Sequence, residues 1–452
     1  MSDRRERARL VGIIAASGIS ILGSRMSFVA IPWLVLVTTG SPARMGLVAG
    51  AEMLPYVLAS SLGAPLVDRM GLRRTAIGTD LGSAVVMVAV ATAYSAGFGL
   101  LLLLVAVAGG LRGFADNAKK VLVPPRAKAA DVALPQVIAA FEAMSRFSMM
   151  VGAVVAGVLI AWVGAPAAIV VDAASFVVAA VLVVLSVRPS APGGPAAAVA
   201  APKEPYLTAL RGGFGHVWGD RIMFAIFAML FGINLLNQAA GVVLVPLWAD
   251  STVGSAAAVG VVLGALGLGA VLGSVGFTMV VTKVPRYAVF TLGFLLGGPP
   301  RFVVLGVSDD VLTVAVVWFL SGVALTAINP TIGSMVVERT PPELHARVFG
   351  LNTAVAWAGI PLGGVFAGWA VAAFGLAPAL LLSAAVYLAI ALVPVVGYRA
   401  WRSIGRRPDP PEVAAGAGAA GAGAVGVPAD EEAVPGRSAS GPGAAARGRR
   451  PG

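Results

Sequence analysis

The chain has 452 residues, 58% of them hydrophobic and only 12% charged, against ~25% charged in an ordinary soluble domain; with a mean hydropathy of +0.91 it reads as a polytopic membrane protein. The net charge of +11 does not call for nucleic acid, because the basic residues cluster between long apolar runs, where membrane topology explains them. With no cysteine, disulfides, thiolate metal sites and cysteine nucleophiles are excluded, and with no Gly-Lys pair the phosphate-cradling loop of nucleotide hydrolysis is absent.

The first element begins behind Arg4, Arg5, Arg7 and Arg9. The apolar run from Leu10 to Val37 is too long for a signal-peptide core and predicts a retained first helix. Further helices are predicted near 43–66, 75–97, 99–122, 135–163 and 166–187, closing a six-helix half over residues 1–187. Residues 188–219 are Pro, Gly and Ala rich and read as a cytoplasmic linker. A second six-helix half over 220–400 follows, with helices near 221–249, 254–282, 286–307, 311–337, 345–374 and 377–398. The Ala/Gly/Pro-rich tail, 401–452, has little apolar surface to bury and is expected to be disordered and cytoplasmic.

Basic residues and a repeat support this map. Lys119, Lys120, Arg126, Lys128, Arg211, Arg286, Arg339 and Arg399 fall on the side of the N-terminal arginines, whereas Asp250, Asp309 and Asp310 fall on the other. The first side is therefore expected to be cytoplasmic. Gly152, Gly157 and Gly164 recur at one constant spacing as Gly363, Gly368 and Gly375, so two related halves are expected.

Between the second and third helices stands GAPLVDRMGLRR, residues 63–74. The spacing of Gly63, Leu66, Asp68, Arg69, Gly71, Arg73 and Arg74 resembles the loop between helices 2 and 3 of the major facilitator superfamily. The resemblance implies twelve membrane helices in two halves, alternating access, and a latch role for Gly63, Asp68, Arg69, Gly71, Arg73 and Arg74. The equivalent position in the second half, near Val281, keeps only Lys283 and Arg286, so that latch is expected to be one-sided. A helix 4–5 loop ending at Pro124-Pro125, and Asp172 to Phe176 in the sixth helix, resemble the branch of enterobactin exporters and macrolide efflux proteins. The glycine runs 152–157 and 359–364 partly match the motif of drug/proton exporters, with Ala153 where a proline is usual and Pro361 in the other half. Close helix packing explains such glycines equally well.

Ionisable residues inside membrane helices are costly and mark candidate sites. Glu52, at ~12 Å along the second helix, is expected to pair with Arg25 of the first. Arg112 with Asp116, and Glu142 with Arg146, form i,i+4 pairs on the fourth and fifth helices. Glu52, Asp116 and Glu142 are the proton-coupling candidates, with Glu52 favoured. Arg25, Arg112 and Arg146 are their charge partners or contacts for an anionic substrate, and permanent structural pairs are the competing reading. Asp80 reads as structural, while Asp172 and Arg301 are expected near helix ends where water reaches them. Asn234, Asn237 and Gln238 on one face of the seventh helix, with Asn329 on the tenth, are substrate-cavity candidates, interhelical hydrogen bonding being the alternative.

The resemblance implies proton-coupled export of a drug, siderophore or secondary metabolite by a monomer in the cell inner membrane, both termini cytoplasmic. A nutrient importer on the same fold and a non-transporting scaffold or sensor are the alternatives. No enzyme activity, cofactor or metal is expected: His216 and His345 lack neighbouring ligands, and no nucleophile and base stand at catalytic spacing.

Overall fold

The computed structural model describes residues 2–63, 66–67, 70–187, 214–215, 217–280, 285–341 and 344–401. Asp68 and Arg69 of the expected latch, most of the linker, His216, Val281 with Lys283, and the tail from 402 onward lie outside the described residues.

In hydrocarbon the backbone must satisfy its own polar groups, so each apolar run closes into a helix. The first half comprises α1 (Ser2–Thr39), α2 (Pro42–Leu62), α3 (Leu72–Ala93), α4 (Phe98–Ala129), α5 (Leu134–Val163) and α6 (Ala165–Ser186). In the second half α7 begins as Arg221–Ala239 and continues to Val253 through π turns at Ala240–Leu244 and Ala249–Val253. There follow α8 (Ala256–Val280), α9 in two pieces (Arg286–Gly297 and Pro299–Val307), α10 in two pieces (Val311–Leu325 and Ile328–Arg339), α11 (His345–Phe374) and α12 (Leu376–Val396). Among the described residues, eleven helices are long and apolar enough to cross a membrane. The twelfth is α2, which has 21 residues and is ~31 Å long at ~1.5 Å per residue.

Three expectations change. Pro124 and Pro125 are not in a loop but inside α4. They deprive the carbonyls of Lys120 and Val121, four residues earlier, of their partners, and both residues are exposed, so water can take up those carbonyls. The ninth helix is broken at Gly298, where two prolines follow; a Cβ on Gly298 would lie 1.8 Å from the Tyr387 ring. The tenth is broken around Thr326–Ala327, one turn before Pro330, whose missing N–H leaves the ladder incomplete there.

The repeat is visible in the packing. The pairs α1·α5, α2·α4 and α3·α6 recur as α7·α11, α8·α10 and α9·α12. The halves meet along α2·α11 and α5·α8, and glycines set how closely. A Cβ on Gly46 would fall 2.2 Å from the Gly364 carbonyl oxygen, and one on Gly157 would fall 2.9 Å from the Gly260 Cα. All four glycines lie in the parts of their helices remote from Arg73 and Lys119. The two halves are therefore sealed against each other at the end opposite the basic residues.

At the basic end, Gly71 turns the chain into α3 with φ of 86°, and Arg73 Nε donates to the Val187 carbonyl at 2.7 Å, beyond the end of α6. In the second half Asp220 caps α7, accepting from the Ile222 and Met223 amides at 2.9 and 3.2 Å and from Arg339 Nε at 2.8 Å. Burial alone would push the Asp220 carboxyl up, but hydrogen bonds from Arg339 and from the two amides outweigh it and hold it below its ordinary value of 3.8.

Two predictions follow from this packing. Gly46→Val overpacks the sealed end by about 1–3 kcal/mol, so maleimide labelling of a cysteine placed at buried Ala49, in this otherwise cysteine-free chain, should rise about tenfold; unchanged labelling would mean that the end is not held shut by this contact. A depressed carboxyl contributes stability above its ordinary value and loses it as pH falls through the folded one. Asp220→Asn should therefore lower stability at pH 7 by about 1 kcal/mol or less, with the gap to wild type closing as the pH drops below 3.8; thermal melts across pH read it directly.

Candidate functional site

Between the halves, on the basic-end side of the sealing contacts, lies a cavity of about 350 Å³. Its first-half wall carries Arg25, Tyr56, Arg112, Asp116 and Glu142, and α7 and α11 contribute Gln238 and Trp357.

The charges pair across helices rather than along them. Gly109 and Gly113 let α4 lie directly on the α2 backbone: a Cβ on Gly109 would fall 2.0 Å from the Glu52 carbonyl oxygen. This contact points Arg112 at α2, where its guanidinium forms an ion pair with Glu52; the two residues are 8% and 3% exposed. The expected Arg25–Glu52 and Arg112–Asp116 pairs are thus replaced by Arg112–Glu52. Arg25 stacks over Phe28 at 5.4 Å and has no ion-pair partner among the described residues. Asp116, half-buried on the cavity wall, instead accepts a hydrogen bond from Tyr56 Oη at 3.1 Å. The Tyr56 ring lies 5.9 Å from the Arg112 guanidinium and stacks on Trp357 across the half boundary at 6.0 Å and 9°.

Glu142 and Arg146 do not pair either. Both are exposed, and only Glu142 lines the cavity. Counting the pair, the site brings together Arg25, Arg112 and Lys120 with Glu52, Asp116 and Glu142, three charges of each sign.

Two other expectations are corrected. Asp172 is not reached by water: it is fully buried between α1 and α6 and accepts from Ser27 and, at 3.2 Å, Ser175. Arg301 is 2% exposed, ringed by Phe302, Trp318 and Tyr387 at 5.3 to 5.6 Å, and donates to Asn237. Asn237 is thereby committed to Arg301 and is not part of the cavity lining. Asp80 is held by Lys119 at 2.9 Å, both buried, in agreement with its structural reading.

Asn234 and Asn329 line a second compartment of about 380 Å³, together with Asn352. It shares Trp357 and Ile360 with the first. Sequence reasoning missed Tyr56 and Asn352. Tyr56 stands one helical turn from Glu52 and so shares its face, a signal that was available; Asn352, in the N-terminal part of α11, had none.

The sequence matches the Major Facilitator Superfamily over residues 13–251 and 230–434, that is, over both halves. The chain belongs to that superfamily. It is a multi-pass membrane transporter. Among its relatives is the multidrug efflux pump Tap of Mycobacterium tuberculosis (strain H37Rv), 25% identical over 403 residues, covering 85% of this chain and 90% of that one. Tap of Mycolicibacterium fortuitum is 27% identical over 380 residues, covering 80% and 89%. In fold the chain is similar to the nucleoside transporter NupG, with a TM-score of 0.67, 14% identity and coverage of 86% and 99%. It is also similar to a bacterial homologue of the human lysosomal transporter Spinster in an inward-facing, unoccupied conformation, with a TM-score of 0.68, 15% identity and coverage of 90% and 99%. Transporters of the superfamily take small molecules within the membrane, and the cavity between the halves is the place this fold offers for one.

Breaking the Arg112–Glu52 pair from one side leaves an uncompensated buried charge. Arg112→Leu should destabilise the purified transporter by about 3–5 kcal/mol, and adding Glu52→Gln should recover most of that loss; a single variant that melts with wild type would show the pair to be dispensable.

Proposed function

We propose that this transporter is a proton-coupled exporter of lipophilic, drug-like molecules, working as a monomer in the cytoplasmic membrane with its basic end inside. The observation that carries the reading is Asp116: a carboxylate on the cavity wall whose partner is a neutral phenol. Taking up a proton at Glu52 would break its ion pair and strand Arg112. At Asp116 no ion pair is lost, and Glu142 shares that freedom.

The cavity's charges cancel when all are ionised, so one added proton leaves it with a net positive charge. Proton and cationic substrate then compete for the same field, and exchanging one for the other biases the two orientations of the halves. The positive-inside bias supports an orientation with the basic-end side of the cavity toward the cytoplasm, where an exporter collects its load. Relatives named multidrug efflux pumps, matched over most of both chains, support the direction. Arg73, Arg74, Gly63 and Gly71 keep their proposed latch role at that end.

The test is proton movement in proteoliposomes loaded with a pH dye, with ethidium and tetraphenylphosphonium as probes. Wild type should show probe-evoked flux, and Asp116→Asn should slow it about tenfold or more, a loss of ~1.4 kcal/mol in the step it serves. Flux that survives Asp116→Asn but not Glu142→Gln moves the proton site to Glu142. No evoked flux with any probe would overturn proton-coupled export and leave a nutrient importer or a non-transporting protein.

A further inference from the structure

The charged compartment adjoins a second one, with which it shares Trp357 and Ile360. The other compartment, between α7, α10 and α11, measures about 380 Å³, within the ~300–1,000 Å³ range of small-molecule sites. Its lining holds no charged residue. Its polar groups are three carboxamides, Asn234, Asn329 and Asn352, set among apolar side chains such as Leu230 and Ile332.

One buried amide atom of this lining is unsatisfied, and a second lies on the wall of the first compartment. Asn352 Oδ1 has no hydrogen-bond partner among the described residues, and neither has Gln238 Nε2, on the first compartment's wall. Buried polar atoms are nearly always paired, and one left over calls for a ligand or water. In the second compartment the open acceptor of Asn352 stands with the carboxamides of Asn234 and Asn329, which carry both donors and acceptors, a set that fits a hydroxyl or a carboxamide, both of which donate and accept. A carboxylate or an ammonium entering this compartment would find no counter-charge and would lose its hydration.

The geometry points to the α7–α10–α11 compartment as a second subsite, taking an uncharged, hydrogen-bonding group of the transported molecule while its cationic or apolar body occupies the first. Trp357 divides the two. Its indole is held by the Tyr56 stack, and Tyr56 is held by Asp116, so the wall between the subsites is anchored to the carboxylate proposed to exchange protons. The preferred substrate is therefore bipartite: a lipophilic cation carrying a hydroxyl or amide arm. This inference rests on the export reading above and adds the chemistry of the second arm.

A matched pair of probes separates the two. n-Butyltriphenylphosphonium and (3-carbamoylpropyl)triphenylphosphonium differ only in a terminal methyl against a carboxamide, and both can be titrated calorimetrically into the full chain in lipid nanodiscs. Wild type should bind the carboxamide compound about tenfold more tightly, the ratio worth ~1.4 kcal/mol. Asn352→Leu and, independently, Asn234→Leu should bring that ratio close to unity, Asn352→Gln should retain it, and Asp116→Asn should weaken both probes alike. Equal binding in wild type, or a preference that survives both leucine variants, overturns the subsite while the export reading stands on the butyl compound. Failure of wild type to bind either probe overturns both.

Discussion

An arginine carried to the middle of a membrane must bring its counter-charge with it, and the arrangement of the first half follows from how Arg112 meets that demand. The partner is Glu52 on a different helix, so the pair locks α2 to α4. It can form because Gly109 and Gly113 allow the two backbones to touch. Once Arg112 is taken, Asp116 one turn along has no arginine and falls to Tyr56; Glu142, facing the same cavity from α5, has none either. A single close contact between helices thus leaves Glu52 in a fixed ion pair and Asp116 without one.

The second half solves the same problem without acid. Arg301 is as buried as Arg112, but its surroundings are three aromatic rings and the Asn237 carbonyl. Ring faces offer a cation an attraction that needs no second ion, and the Trp318 indole fixes the local backbone by donating to the Arg301 carbonyl at 3.2 Å. The break at Gly298 belongs to this arrangement, because the space a side chain there would need is filled by Tyr387. The two halves share a packing plan and differ in chemistry: one holds titratable groups at its cavity wall, the other holds amides there and keeps its arginine in its core.

Much of this fold was legible in the sequence, for identifiable reasons. Helix number and order follow from apolar length, which is a property of single segments. The repeat followed from Gly152, Gly157 and Gly164 against Gly363, Gly368 and Gly375, because close helix contacts tolerate little else. Pairing was less legible. Spacing along one helix suggested Arg112 with Asp116 and Glu142 with Arg146, but in lipid the strongest demand on a charge is met by whichever helix packs nearest, and that neighbour is set in three dimensions. Asp172 and Arg301 were misplaced on similar grounds: distance along a helix measures depth, whereas accessibility depends on what packs alongside. Trp357 carries no signal along its own helix, because its importance comes from Tyr56 on the other side of the half boundary.

That boundary is where coupling has to be transmitted in the proposed cycle. A proton shifts the balance between two arrangements only if it interacts differently with each, so the groups that sense it must touch something that changes. Most contacts of Glu52, Arg112 and Asp80 lie within the first half, which moves as a body and leaves them intact. Tyr56 differs: its hydroxyl is bonded to Asp116 in its own half, and its ring face rests on Trp357 in the other. Protonating Asp116 converts an ion–dipole hydrogen bond into a neutral one, which weakens it, and so loosens the hold on a ring that helps to join α2 to α11. Of the glycine contacts that seal the far end, that of Gly46 with Gly364 lies on the same pair of helices. A change in one carboxylate is in this way applied along a contact that the rocking of the halves must break.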